Sequence, residues 1–178
     1  MSLLRRGLFA LPVLAFTGGT RAQLKVPATW YAVQVEDNAF TVQMPGVPDH
    51  RVVNDRSARG TAFALHSYSI DSGGLSFVAQ SALYPPDVVV AQPRTILQMA
   101  LVDRAQKLDG GKWSQVDWRE IQGATAAEST GSAMGGYAVR QLVLLKGRRF
   151  VSLAFLGPAA TVRGPEADRF FKSLKLQQ

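Results

Sequence analysis

Apolar and polar residues alternate along several short segments of this chain. In the clearest segment, Phe40, Val42 and Met44 alternate with two polar residues, so one face is apolar and the other polar. This period of two is typical of a half-buried β-strand. Similar segments, bounded by turns rich in glycine and proline, predict strands at residues 30–35, 40–44, 49–59, 61–70, 75–83, 113–121, 124–130, 137–146 and 150–156.

The pattern changes to a helical period after Pro93. Proline suits the first position of a helix, where no amide hydrogen is needed, and Gly110 and Gly111 supply a stop beyond the end. A helix is therefore predicted over residues 93–108. Its apolar stripe consists of Ile96, Leu97, Ala100, Leu101, Ala105 and Leu108, and its polar face of Gln98, Asp103, Arg104 and Lys107. A second, short helix is predicted to open at Pro165, with Ala167, Phe170, Phe171 and Leu174 at helical spacing.

Two neighbouring strands are apolar on both faces. Residues 142–145 and 151–156 contain almost no polar side chain, and strands of this kind are buried on both sides. The short link between them, residues 146–149, favours a hairpin. These segments therefore predict the centre of an antiparallel sheet that is covered on both faces. The expected fold is α+β, with about six to eight antiparallel strands flanked by helices.

The order of these elements resembles the PsbP-like group of α/β/α sandwiches. The residues that carry the resemblance are Phe40, Val42, Pro45 and Pro48, the hairpin glycine Gly147, and the pair Gly157-Pro158 followed by the helical stretch 166–174. The chain looks most similar to the small, largely uncharacterised, exported bacterial members of that group, over about residues 38–176. The resemblance implies an α/β/α sandwich and an accessory or binding protein rather than an enzyme. It assigns no site residue, because the matching positions are of turn and core type.

The N-terminal residues have the pattern of a cleavable export signal. Arg5 and Arg6 precede a short apolar run, residues 7–16, and small residues, Thr20 and Ala22, stand at the −3 and −1 positions of the expected cleavage site. The apolar run is about half the length that a membrane span needs. We therefore expect a signal peptide at 1–22, a leader with a short strand at 23–37 and a single domain at 38–178. The mature chain would be periplasmic or extracellular.

The net charge and the lack of cysteine exclude several classes of partner and of chemistry. Cleavage after Ala22 would lower Lys+Arg from 20 to 17 against 13 Asp+Glu, and the net charge from +7 to +4. Such a charge is ordinary for a small domain and argues against a nucleic-acid partner. The chain has no cysteine, which excludes thiolate nucleophiles and disulfides. No second apolar stretch in the mature chain is long enough to span a membrane.

Basic residues gather around one predicted hairpin. Lys146, Arg148 and Arg149 lie at its tip, and Arg140 lies upstream on the same strand. Such a cluster is able to contact an anionic surface, a lipid headgroup or an acidic protein. Alternatively, the charges protect the edge of an apolar hairpin from aggregation.

Three aromatic residues form a second candidate site. Tyr84, Trp113 and Trp118 offer large, rigid contact areas that are typical of a binding cleft. Trp113 and Trp118 are five residues apart, so a regular strand would place them on opposite faces. At least one of them is then expected to belong to the core instead.

Residues able to do chemistry are scattered. His50 and His66 lie on separate predicted strands without metal-binding spacing, and Asp117 and Glu120 would point to opposite faces of one strand. Residues 131–136 are rich in glycine but match neither a nucleophile elbow nor a phosphate loop, and we expect a turn there. No catalytic, cofactor-binding or metal-binding residue is assigned, and no cofactor is expected.

Two main functions remain open from the sequence, beside a third possibility, a structural or stress-response protein of the envelope. The first is an exported, non-enzymatic binding or accessory protein of the cell envelope, whose partner is an envelope protein or a small ligand. The second is a metal-independent hydrolase with a triad that the sequence does not reveal. The lack of a recognisable catalytic motif and the kind of residues that carry the resemblance favour the first.

Overall fold

The structure, a computed structural model, describes residues 29–35 and 39–177. The predicted signal peptide and cleavage site, and most of the leader, lie outside the described residues. In the part of the chain that is described, no helix is long and apolar enough to cross a membrane.

The described residues form ten strands and two α-helices; all but the last strand lie close to the predicted positions. The strands are β1 (Tyr31–Gln34), β2 (Phe40–Met44), β3 (Asp49–Arg56), β4 (Ala62–Ser72), β5 (Leu75–Leu83), β6 (Gln115–Ile121), β7 (Ala124–Ala133), β8 (Tyr137–Lys146), β9 (Arg149–Pro158) and β10 (Lys175–Leu176). The helices are α1 (Pro93–Ala105) and α2 (Pro165–Lys172).

Seven strands form one antiparallel sheet in the order β3-β4-β5-β9-β8-β7-β6, and β1, β2 and β10 form a small second sheet. The predicted antiparallel α+β fold is confirmed. The doubly apolar strands β8 and β9 pair with each other inside the large sheet. The mostly exposed strand β3 lies at one edge of the large sheet.

The large sheet is buried on both faces. On one face, Phe77 packs edge-on against Phe155 and Phe170, with ring centroids 5.2 and 5.4 Å apart, beneath α2 and the small sheet. On the other face, α1 covers Val143 and Phe150. We call the first group the α2-side core and the second the α1-side core. Successive residues such as Leu144 and Leu145 enter opposite cores, as the pleat of a strand requires.

The glycine-rich segment 131–136 differs from the expected turn, because β7 continues through Gly131 to Ala133. Gly131 is buried, and a Cβ built there would lie 2.5 Å from Cδ1 of Leu108 and 3.3 Å from Cε3 of Trp113. The glycine therefore allows the chain after α1 to pack closely on the sheet. Only the following residues, Met134–Gly136, form the turn.

Arg104 was placed on the polar face of α1, and this was wrong. It is 2% exposed and donates hydrogen bonds to Oγ of Ser152 at 2.7 Å and to Oε1 of Gln80 at 2.6 Å. Its spacing from Leu97 and Leu101 puts it on the helix face that meets the sheet. Burial lowers the pKa of Arg104 to about 10, so the side chain remains charged near neutral pH.

We expect Arg104→Ala to destabilise the fold by about 2–3 kcal/mol, because it removes the buried stem and leaves two acceptors without their donor. The cost of burying a charge is removed as well, which offsets part of this loss. Urea unfolding monitored by circular dichroism measures the change. Arg94→Ala on the exposed face of the same helix is the control and should cost less than about 1 kcal/mol. Equal effects of the two substitutions would contradict the role given to Arg104.

Candidate docking surface

Besides the two-residue β6–β7 turn, the antiparallel order brings three further loops to one end of the large sheet. They are the β3–β4 turn, the segment after β5 and the β8–β9 turn, and we define the basic end as residues 55–62, 83–92 and 146–149. Its charged residues are the cations Arg56, Arg59, Lys146, Arg148 and Arg149 and the carboxylates Asp55 and Asp87. The surface is therefore positive.

Arg148 holds the segment after β5 against the hairpin tip. Its Nε donates to the backbone carbonyl of Tyr84 at 3.0 Å, and its terminal nitrogen donates to that of Val88 at 3.3 Å. The amide of Tyr84 donates to the carbonyl of Arg148 at 2.9 Å. Arg148 is thus a positioning residue whose charge lies beneath the loop.

Ser57 connects the third loop to this frame. Its hydroxyl donates to the carboxylate of Asp87, and its oxygen accepts from the amides of Arg59 and Thr61 at 3.3 and 3.2 Å. The hydrogen bond from Ser57 holds the pKa of Asp87 below its ordinary value. Because the three loops are bonded to one another, the basic end is a single surface.

Apolar side chains stand among these charges. Val88 and Val90 turn inward against the α1-side core, whereas Val89 between them is 73% exposed. Leu83, which is 52% exposed, pairs with Arg149 across β5 and β9. The basic end therefore presents isolated apolar side chains beside cations.

The predicted basic residues do not all come together. Lys146 lies opposite Arg149 in the β8–β9 register. The Nζ of Lys146 donates to the backbone carbonyl of Gln177 at 3.4 Å. Arg140 lies further back along β8, where it bonds Glu128 at 2.6 Å and Asp168 at 2.7 Å. Three of the four residues thus share the basic end, and Arg140 lies apart from them.

Arg140 belongs to an ion network beside α2. Arg119 also pairs with Glu128, Lys172 pairs with Asp168, and the guanidinium of Arg140 lies 4.6 Å from the ring centre of Phe171. The network borders a groove of about 360 Å³ that is lined by Arg119, Glu120, Ile121, Gln122, Arg140, Leu142, Phe171, Lys172 and Leu174. Since each of its three cations already faces a carboxylate, the network serves to hold α2 on the sheet.

The three aromatic candidates share one side of the sheet. Tyr84 is 4% exposed and packs edge-on against Phe63, and burial raises the pKa of its phenol. Trp113 donates from Nε1 to the carbonyl of Leu101 at 2.8 Å, and Trp118 lies under Arg94. Both tryptophans pack on the α1-side core. They were expected on opposite faces, but Trp113 precedes β6, so strand alternation does not apply to it.

The structure also brings together two histidines that lie on separate strands. The β3–β4 register places His50 opposite Tyr68, and the imidazole ring of His50 stacks on the ring of Tyr68. Nε2 of His50 also lies 3.3 Å from Nδ1 of His66. Within residues 29–35 and 39–177, no group of three or more possible metal ligands occurs.

The ion network predicts a pH-dependent contribution to stability. Hydrogen bonds from Lys172 and Arg140 hold the pKa of Asp168 below its ordinary value. The stabilisation by ionised Asp168 is therefore fully present above the pKa of an aspartate in the unfolded chain, about 4. It is lost as pH falls through the lower pKa that Asp168 has in the folded chain. We expect Asp168→Asn to cost about 0.5–1 kcal/mol at pH 7 and less at pH 3, measured by urea unfolding. The control Asp49→Asn, at an exposed site, should change little at either pH, and a pH-independent cost of Asp168→Asn would contradict the assignment.

No protein-family model matches this chain, and no curated protein matches it. Among solved structures, it is similar to the solution structure of cyanobacterial PsbP (CyanoP) from Synechocystis sp. PCC 6803. The TM-score is 0.55, the sequence identity is 10%, and the alignment covers 92% of this chain and 99% of CyanoP. An identity this low establishes the fold alone. The chain therefore has a PsbP-like α+β fold.

Proposed function

We propose that this chain is an exported, non-catalytic binding or accessory protein of the cell envelope that docks on an anionic partner through the basic end. The observation that carries the proposal is the convergence of three bonded loops with five cations and two carboxylates at one end of the sheet. Charge of one sign on one surface speeds the encounter with an oppositely charged partner.

The frame beneath the cations supports docking. The backbone of residues 84–88 is held by Arg148, and Asp87 is held by Ser57. A surface whose loops are fixed before binding loses less conformational entropy when the partner arrives. Arg59 is exposed, and Lys146 and Arg149 are partly exposed, so a partner can reach all three.

The aromatic residues fit this proposal as supports of the surface. Tyr84 packs against Phe63 and Phe150 while its carbonyl accepts from Arg148, so its ring anchors the loop in the α1-side core. Trp118 lies under Arg94 in the first turn of α1. In this arrangement, Tyr84 anchors the loop and Trp118 supports the start of α1 that follows it, whereas Trp113 bonds Leu101 and lies with Gly131 towards the opposite end of the sheet.

The accessory role is favoured by the fold shared with CyanoP and by the tendency of the PsbP-like group towards accessory and binding proteins. Export is favoured by the sequence pattern of residues 1–22. Neither argument names the partner, so the experiments test the surface and the export separately.

We expect the double variant Arg59→Glu with Lys146→Glu to lose most of its partner, by about tenfold or more, in crosslinking and co-purification from the envelope of the producing cells. The matched control reverses Lys112 and Arg163, which lie at the opposite end of the sheet next to the start of β6. It should behave like the unaltered chain. If the two double variants lose partner equally, or neither does, the basic end is not the docking surface.

Export has its own test. The chain recovered from the envelope fraction is expected to begin Gln23-Leu24-Lys25-Val26, because cleavage should follow Ala22. N-terminal sequencing reads this directly. Recovery of the chain from the cytoplasm with Met1 retained would refute export, and the charge-reversal variants would then be compared by crosslinking in whole cells instead of the envelope fraction.

A further inference from the structure

We infer that the anionic partner is a lipid bilayer surface, and that Leu83 and Val89 enter its headgroup layer between the cations. The inference rests on the proposed docking function of the basic end and assigns the chemistry of the partner. It depends on three properties of that surface: a fixed apolar tip, cations beside it, and a composition unlike that of a protein interface.

The apolar tip is fixed by its own loop. Val88 and Val90 are seated in the α1-side core, and the carbonyl of Val88 accepts from Arg148. Pro85 and Pro86 restrict the chain ahead of them. Val89 therefore stays 73% exposed, because turning it inward would require Val88 and Val90 to leave the core.

Cations flank both apolar residues. Arg149 is the strand partner of both Leu83 and Lys146, and Arg148 lies directly beneath the loop that carries Val89. A few apolar side chains that enter the headgroup layer, together with basic residues that meet anionic lipid, are the usual elements of peripheral membrane binding. The basic end combines both at one end of the sheet, with Leu83 at the last position of β5 and Val89 in the loop that follows.

The composition of the surface favours lipid over protein. Leu83 and Val89 are the exposed large apolar residues of the basic end, and neither is aromatic. Protein–protein interfaces are enriched in aromatic residues, methionine and arginine, and of these types the basic end exposes only arginine. Separate aliphatic side chains among cations suit a lipid headgroup layer better than a protein interface. Lipids rearrange around each inserted side chain, so no complementary surface shape is needed.

The test uses the full chain as it is recovered from the producing cells, with sedimentation on vesicles of phosphatidylcholine alone or mixed equally with phosphatidylglycerol. We expect binding to the mixed vesicles only, and weaker binding as salt rises. Every variant carries the same N-terminus, so a contribution from residues outside the described part is common to all of them.

Two pairs of variants separate charge from insertion. Arg59→Gln with Lys146→Gln should weaken vesicle binding about 25-fold, about fivefold for each cation, while Lys112→Gln with Arg163→Gln leaves it unchanged. Leu83→Gln with Val89→Gln should weaken it about tenfold. The matched control, Val47→Gln with Val102→Gln, alters apolar residues of similar exposure, 81% and 53% against 73% and 52%, and should have no effect. Thermal unfolding confirms that each variant is folded.

Equal vesicle binding by the Leu83/Val89 variant and its Val47/Val102 control would overturn the inference. So would a lack of vesicle binding by the unaltered chain when envelope crosslinking still depends on Arg59 and Lys146. That second outcome indicates an acidic protein as partner and leaves the proposed function standing. Loss of both signals would refute the proposed function as well.

Discussion

Burial of β8 and β9 on both faces is the constraint on which the rest of this structure depends. Leu144 and Leu145 follow each other in β8 and enter different cores, so each face of the sheet needs its own cover. The small sheet and α2 cover one face, and α1 covers the other. The hydrophobic effect favours burial but has no preferred direction. The backbone hydrogen bonds between strands therefore determine the geometry of the sheet, and the helices and the small sheet pack onto the faces that it offers.

The need to cover the second face also creates the basic end. The chain leaves β5 at one end of the sheet and must cross that end before α1 can begin at Pro93. The crossing segment passes beside the β8–β9 turn, where Arg148 binds its carbonyls. An exposed valine and several cations are thereby held on one surface. The candidate docking site is thus a consequence of how the sheet is covered.

The arginines show how tertiary position assigns different tasks to one residue type. Arg104 is buried against neutral acceptors, and Arg140 is enclosed by two carboxylates. Arg148 lies under a loop, and Arg59 is exposed at its rim. The positive surface therefore cannot be counted from composition, because three of these four charges are engaged by the fold itself.

The sequence by itself predicted every strand but β10, both helices, the doubly buried centre and the basic hairpin, because periodicity and turn residues act over a few neighbours. The order of elements was enough to indicate the PsbP-like fold. Only the tertiary structure decided that Arg104 is buried, that Arg140 leaves the basic cluster, and that His50 meets His66. These outcomes depend on strand register and on the contact between a helix and a sheet. They join residues that are distant along the chain, and no local pattern encodes such contacts.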